Sequence, residues 1–373
     1  MSALDHISIR GYKSIRELDL DLRPLNVFIG PNGAGKSNLI GVFELLNQIV
    51  RGNLQVFIGE AGGADALLYF GRKTTGAIDL ALTFFAQEAQ EHLRNSYHCR
   101  LLPTADDTLI FTAEECWFHD RQRFVDPYVE SLGAGHRETR LSKVALQSPA
   151  ITMADYIIRA MKSWRVYHFH DTSATAQIKF PGDIEDNVDL RDDASNLAAF
   201  LYMLHERHAA HYQKIVKSIQ LVAPFFDDFD LKPSRLNPEK IRLEWREKGS
   251  DAYFNAHALS DGTLRFMCLA TLLQMPNPPA TILIDEPELG LHPYAITLLA
   301  ALLRSAATRT QVIVSTQSVT LVNQFAPEDI VVVERQDNQS VFRRPDVQAL
   351  IEWLEEYGMG DLWEKNLLGG RPR

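Results

Sequence analysis

Apolar and polar residues alternate at the start of the chain. Leu4, Ile7 and Ile9, then Ile15, Leu18, Leu20 and Leu22, recur with a period near two, which predicts strands. Leu25–Ile29 predicts a further strand, covered on both faces. A Gly-rich turn over 30–35 follows, and Leu39, Ile40, Phe43, Leu46 and Val50 then fall at helical spacing over about 36–50. Further strands are predicted at 77–85 and 108–112. The stretch from 87 to 229 has another texture, with short strands, a charged Gly-containing loop at 121–140, and helices at 153–164 and 194–218. No a/d heptad is sustained, so no long coiled coil is expected. From 241 strands and helices alternate again: strand 241–245, a helix from Gly262, strand Thr281–Asp285, helix Pro293–Ala307, and strands 311–315 and 330–334. Such alternation predicts an α/β fold with a mostly parallel sheet, plus an inserted mixed α+β and helical region. The expected organisation is a head formed by 1–86 and 236–345, an insertion at 87–235, and a helical tail at 346–373.

Composition narrows the class. The 373 residues fill two to three domain-sized units at ~150 residues each. Lys and Arg number 38 against 48 Asp and Glu, a net charge of -10, which argues against a surface built throughout to coat nucleic acid. Three separated cysteines, Cys99, Cys116 and Cys268, exclude a disulfide scaffold and a four-thiolate zinc site. No apolar run approaches the ~18 residues of a membrane span, and the first residues do not resemble a signal peptide. The expectation is a cytoplasmic protein without a membrane partner.

The chemistry concentrates at a few places. Gly30, Pro31, Asn32, Gly33, Ala34, Gly35, Lys36 and Ser37 match G-x-x-x-x-G-K-[ST], between a predicted strand and a predicted helix. In such a loop the backbone N–H groups converge on phosphate oxygens at the positive end of a helix. Lys36 would reach the outer phosphates, and the Ser37 hydroxyl would ligate Mg²⁺. A chance match arises in roughly 0.01 chains of this length. The apolar run ending at Asp285 supplies a carboxylate for Mg²⁺, and Glu286 would accept the proton of the water attacking the γ-phosphate. Ser260 and Gly262, in LSDGT, stand ahead of a helix as a second anion-binding surface; a plain helix cap is the alternative for that segment alone. His168, His170 and Asp171 suggest a metal site, but no third ligand is evident and their neighbours Trp164, Val166 and Tyr167 read as packing. The basic groups Arg121 and Arg123, Arg137, Arg140 and Lys143, and Arg343 and Arg344 each read as solvated charge, with DNA a further candidate partner.

The order GPNGAGKS, LSDGT, ILIDEPELGLHP, VIVSTQS resembles ABC-type ATPases of the SMC/RecF/OLD group, and most of all the compact bacterial RecF-like ATPases. The resemblance covers about 1–85 and 240–335. It implies an ATPase with ATP and Mg²⁺ as cofactors. Gly30, Asn32, Gly33, Ala34, Gly35, Lys36, Ser37 and Asn38 would hold the phosphates, and Lys13 and Ser14 would lie against adenine and ribose. Ser260 and Gly262 would contact the γ-phosphate held by the opposite protomer of an ATP-dependent dimer. Residues Glu288 to Pro293 would form the loop that follows the acidic pair. The family carries a histidine after the 311–315 strand; here Gln317 takes that place, and would orient the attacking water. Gln87 and Gln90 are the candidates for the family's glutamine loop.

Three functions follow from these features. The first is an ATPase that dimerises on ATP and gates DNA repair or phage defence through a separate nuclease or toxin. The second is a transporter's ATP-binding subunit, and the third a nucleotide-binding scaffold without appreciable turnover. The region between the motifs and the Asp285, Glu286, Pro287, Glu288 run favour the first. Fewer than 40 residues follow Glu334, too few for a nuclease domain of its own kind.

Overall fold

The computed structural model describes residues 3–85, 92–147 and 152–369. β1 (Leu4–Tyr12) and β2 (Ile15–Asp21) form a hairpin, and β3 (Leu25–Ile29) leads through the Gly-rich loop into α1 (Lys36–Arg51). Short helices α2 (Leu54–Glu60) and α3 (Ala64–Leu67) precede β4 (Ile78–Phe84), β5 (Leu93–Pro103), β6 (Leu109–Asp120) and β7 (Tyr128–Ser131). After α4 (Leu141–Gln147) and α5 (Met153–Lys162) come β8 (Trp164–Tyr167), β9 (Gly182–Asp183), α6 (Leu197–Arg207) and α7 (Ala209–Val222). β10 (Phe226–Phe229), β11 (Lys240–Ile241), β12 (Glu244–Glu247) and β13 (Tyr253–Asn255) lead to α8 (Asp261–Gln274), β14 (Thr281–Asp285), α9 (Pro293–Ala307) and β15 (Gln311–Thr316). The chain closes with α10 (Val319–Val322), β16 (Ile330–Gln336), β17 (Gln339–Arg343), α11 (Val347–Leu354) and α12 (Met359–Glu364).

Two six-stranded sheets organise these elements. One is antiparallel, in the order β2-β1-β4-β5-β6-β7; the other runs β17-β16-β3-β15-β14-β8 and is parallel except for the edge pair β16–β17. The second sheet divides the interior into two cores. Val27, Ile29, Ile282, Ile284, Val312, Val314, Ile330 and Val332 face α6 to α9. Phe28, Leu283, Ile313, Val331 and Val333, from the same strands, face α1 and the antiparallel sheet. That is the period-two alternation of a sheet covered on both sides, and it explains why these strands read as unbroken apolar runs.

The α/β fold with a mostly parallel sheet stands as expected, but residues 87–235 do not hang off it as one insertion. β5, β6 and β7 extend the antiparallel sheet, and β8 pairs in parallel with β14, so the segment is woven into both layers. Three elements also differ from the expectation. The 153–164 helix stops at Lys162 because Trp164 enters β8, where Ile282 and Leu283 pair with Arg165 and Val166. The 194–218 helix is two helices, broken at His208, whose ψ of 49° is not helical. The 241–245 strand belongs to neither large sheet and is divided: Ile241 ends β11, which pairs with β9, while β12 sits between β10 and β13 in a separate antiparallel sheet, with Trp245 packed on Phe226 and Phe254.

Candidate active site

β3, β14 and β15 lie side by side and parallel, so the loops leaving their C-terminal ends meet at one rim of the sheet. Ligands of open parallel sheets bind at that rim. Gly30 leaves β3 pressed against β16, where a Cβ would stand 2.1 Å from the Val333 carbonyl oxygen. Gly33 and Gly35 hold φ of 77° and 112°, in the region that favours glycine. Gly35 then caps α1, a helix of 16 residues, without a side-chain bond to the first turn. The curled backbone and the positive helix end make the cradle an anion needs.

Lys36 is only 6% exposed, and its Nζ donates to the Gly30 carbonyl at 2.6 Å and the Pro31 carbonyl at 3.1 Å. Burial pushes the ammonium pKa down, against the pull of the Glu286, Asp285 and Glu288 carboxylates. Across the loop, Ser37 Oγ donates to Asp285 Oδ2 at 3.2 Å, and Ser315 Oγ donates to the other carboxylate oxygen. The register of β14 on β15 sets that second contact, because it pairs Asp285 with Ser315. A hydroxyl beside a carboxylate is an all-oxygen donor set, which fits Mg²⁺.

Glu286 follows with φ 45°, an unfavourable backbone for a side-chain-bearing residue, held by its N–H on the Ser315 carbonyl at 2.9 Å. Its carboxylate accepts from Gln317 Nε2, which also donates to Asn32 Oδ1 at 2.7 Å. Gln317 is fixed at its other end by Glu288, whose Oε1 accepts the Gln317 N–H at 3.3 Å and the Thr316 hydroxyl. Glu288 is 7% exposed, and burial raises its pKa. Lys36, Ser37, Asn32, Asp285, Glu286 and Gln317 therefore form one cluster.

Ser260 and Gly262 stand apart from it; among the described residues no hydrogen bond joins them to that cluster. The Ser260 hydroxyl caps α8, accepting from the Thr263 N–H at 3.2 Å, so the plain capping role is fulfilled. Gly262 packs on the loop after the acidic pair, where a Cβ would meet the Gly290 carbonyl oxygen at 2.3 Å. Lys13, with φ 45°, lays its ammonium 5.5 Å from the Tyr12 ring centroid. Ser14 and Asn38 bond to each other, Asn38 Nδ2 donating to Ser14 Oγ at 2.6 Å. Gln87 and Gln90 lie outside the described residues.

One residue the motifs did not flag, Arg265, braces the loops around the site. Arg265 on α8 is 9% exposed; it donates to the carbonyls of Phe169 at 2.9 Å, His170 at 3.1 Å and Leu289. An arginine in the otherwise apolar run Leu264 to Leu269 was the available signal. His168, one residue past β8, lies 3.5 Å from Glu44 of α1, which raises its pKa. No group of three or more His, Cys, Asp or Glu able to hold a metal occurs among the described residues.

Comparison with known proteins gives the family and the fold. Residues 25–323 match the family described as "AAA domain, putative AbiEii toxin, Type IV TA system". The chain belongs to that family. No curated protein matches it at the sequence level. Among solved structures it is similar to an SMC head bound to the C-winged helix domain of ScpA, with TM-score 0.63 and 17% identity over 94% of this chain and 99% of that one. It is also similar to the Smc head domain of Pyrococcus furiosus bound to the C-terminal domain of ScpA, with TM-score 0.58 and 16% identity over 95% and 99%. The Pyrococcus yayanosii Smc head with a coiled coil and joint gives 0.54 and 13% over 95% and 99%. At these identities the likeness is one of fold, that of an SMC head domain. No described helix is long and apolar enough to cross a membrane.

Proposed function

We propose that this protein is a Mg²⁺-dependent ATPase that dimerises on ATP and gates a DNA-repair or phage-defence process through a separate effector, a nuclease or toxin. The observation that carries the reading is the convergence of Lys36, Ser37, Asp285, Glu286 and Gln317 from three separate stretches of sequence. In this reading the loop amides and Lys36 bind the phosphates, and Ser37 and Asp285 hold Mg²⁺, which neutralises phosphate charge. Glu286 accepts the water's proton, and Gln317, bonded to it, fixes that carboxylate and orients the water. Exposed Ser260 and half-buried Gly262, at the start of α8 and outside the cluster, suit contact with a second protomer's nucleotide. The ScpA-bound SMC heads support a partner-dependent reading, and the family's description supports a place in defence.

Purified protein should hydrolyse ATP with Mg²⁺ and lose turnover with EDTA. Lys36→Ala should lose nucleotide binding. Glu286→Gln should keep binding, lose turnover by about a hundredfold or more, and form a dimer with ATP by light scattering. Wild-type-like hydrolysis by Lys36→Ala would refute the site, and a strict monomer of Glu286→Gln with ATP would refute the dimer.

A further inference from the structure

The hairpin of β16 and β17 lies beyond the family match, which ends at 323, yet it touches the phosphate loop at both of its ends. At the entry, the Val333 carbonyl occupies the space a Gly30 side chain would need. At the exit stands Ser340 on β17, 1% exposed. Its N–H donates to the Ser14 carbonyl at 2.8 Å, and the two hydroxyls lie 2.6 Å apart. Ser14 Oγ also accepts from Asn38 Nδ2, in the first turn of α1. The chain of bonds closes around Gly35: a Cβ there would stand 2.0 Å from Ser340 Oγ and 2.8 Å from Ser14 Oγ.

This arrangement has a physical consequence for the loop. Its amides bind phosphate well only if their directions are set before the ligand arrives, because ordering them on binding subtracts from affinity. Gly35, with φ 112°, has no side chain to restrain it, and its Cα face rests on the Ser340 hydroxyl. Asn38, whose amide holds Ser14, ties the first turn of α1 to the same point.

We propose that Ser340 is a positioning residue for nucleotide affinity, acting through Gly35, Ser14 and Asn38 without touching the nucleotide. The inference rests on the phosphate-loop reading above and assigns part of its strength to a strand outside the motif. Ser14 and Asn38 then serve the nucleotide through the hydroxyl–amide bond between them.

The test is Mg²⁺–ATP titration calorimetry on the full chain, with steady-state kinetics alongside. Ser340→Ala should weaken ATP binding about fivefold to tenfold, the worth of one buried hydrogen bond. Ser340→Thr should weaken it at least as much, because the added methyl enters the space beside Gly35. In both the loss should fall on Kd and KM while kcat holds. Gln339→Ala, one residue away on the same strand, should bind as wild type. Affinity within twofold of wild type in Ser340→Ala would overturn the proposal, as would an equal loss in Gln339→Ala, which would reduce the effect to hairpin stability. Lys36→Ala separates the two readings. If wild type binds ATP and Lys36→Ala does not, an unaffected Ser340→Ala overturns this inference alone; if wild type does not bind, the nucleotide reading itself has failed.

Discussion

At the scale of single residues the site turns on Gln317. Its amide donates to Glu286 and to Asn32, so one side chain joins the acidic loop to the phosphate loop. Glutamine has no proton to exchange in the physiological range, so nothing at this position titrates between pH 5 and 8. Gln317→Ala frees Glu286 from its donor and should lower kcat about tenfold to a hundredfold. Gln317→His should keep turnover at high pH and lose it at low pH. A histidine has an unperturbed pKa of ~6.5, and the neighbouring carboxylate favours its charged form and raises that value. As pH falls through the raised pKa, the imidazolium pairs with Glu286 and competes for the carboxylate that takes the water's proton in the proposed function. The rate profile of the variant should bend there while wild type stays flat. Identical profiles, or Gln317→Ala at full rate, would make Gln317 a bystander.

At the scale of elements, α8 is a buried helix held to its surroundings by one arginine. Ser260 caps it, Asp261 suits the positive end of its dipole, and its apolar residues are buried all round. Arg265 is its buried charge, holding the segment after β8 and the loop after Glu286 through three carbonyls. Arg265→Ala leaves the buried Phe169 carbonyl and the part-buried His170 and Leu289 carbonyls short of a donor and should cost about 1–3 kcal/mol in urea unfolding. Arg265→Lys should recover only part, because an ammonium cannot span three acceptors in a planar fork. Full stability of the alanine variant would show that solvent satisfies the carbonyls. What the sequence made legible also sorts by element. The phosphate loop, the strand into Asp285 and the strand into Ser315 could be read because each is local, a motif or an apolar run within a few residues. β8 could not be assigned to the parallel sheet, since its neighbour β14 lies more than a hundred residues on and pairing over that span leaves no local trace. The 241–245 segment has strand composition wherever it pairs, so its division between two small antiparallel sheets was decided by packing. Ser340 carried no signal at all; a serine in a hairpin gains meaning only from the glycine it touches.

At the scale of the whole molecule, the parallel sheet separates a layer that holds the phosphate loop from a layer that carries α8. Within one chain the start of α8 does not meet the loop; Ser260 bonds within its own turn, to the Thr263 N–H and hydroxyl. If a second copy supplies the missing half, each site of the dimer contains Lys36 from one protomer and Ser260 from the other. Ser260→Arg should then keep ATP binding and abolish turnover, because bulk and charge enter the facing site. Lys36→Ala should abolish both. Mixing the two dead variants creates a dimer in which one site combines an intact loop with an intact Ser260, while the other carries both lesions. Random pairing makes half of the dimers mixed, and each has one competent site of two, so activity should return to about a quarter of wild type at equal total protein. Mass photometry or tagged co-purification would establish that mixed dimers form. Their formation without any regained turnover would refute independent composite sites, and turnover by Ser260→Arg alone would refute a role for Ser260 across the interface.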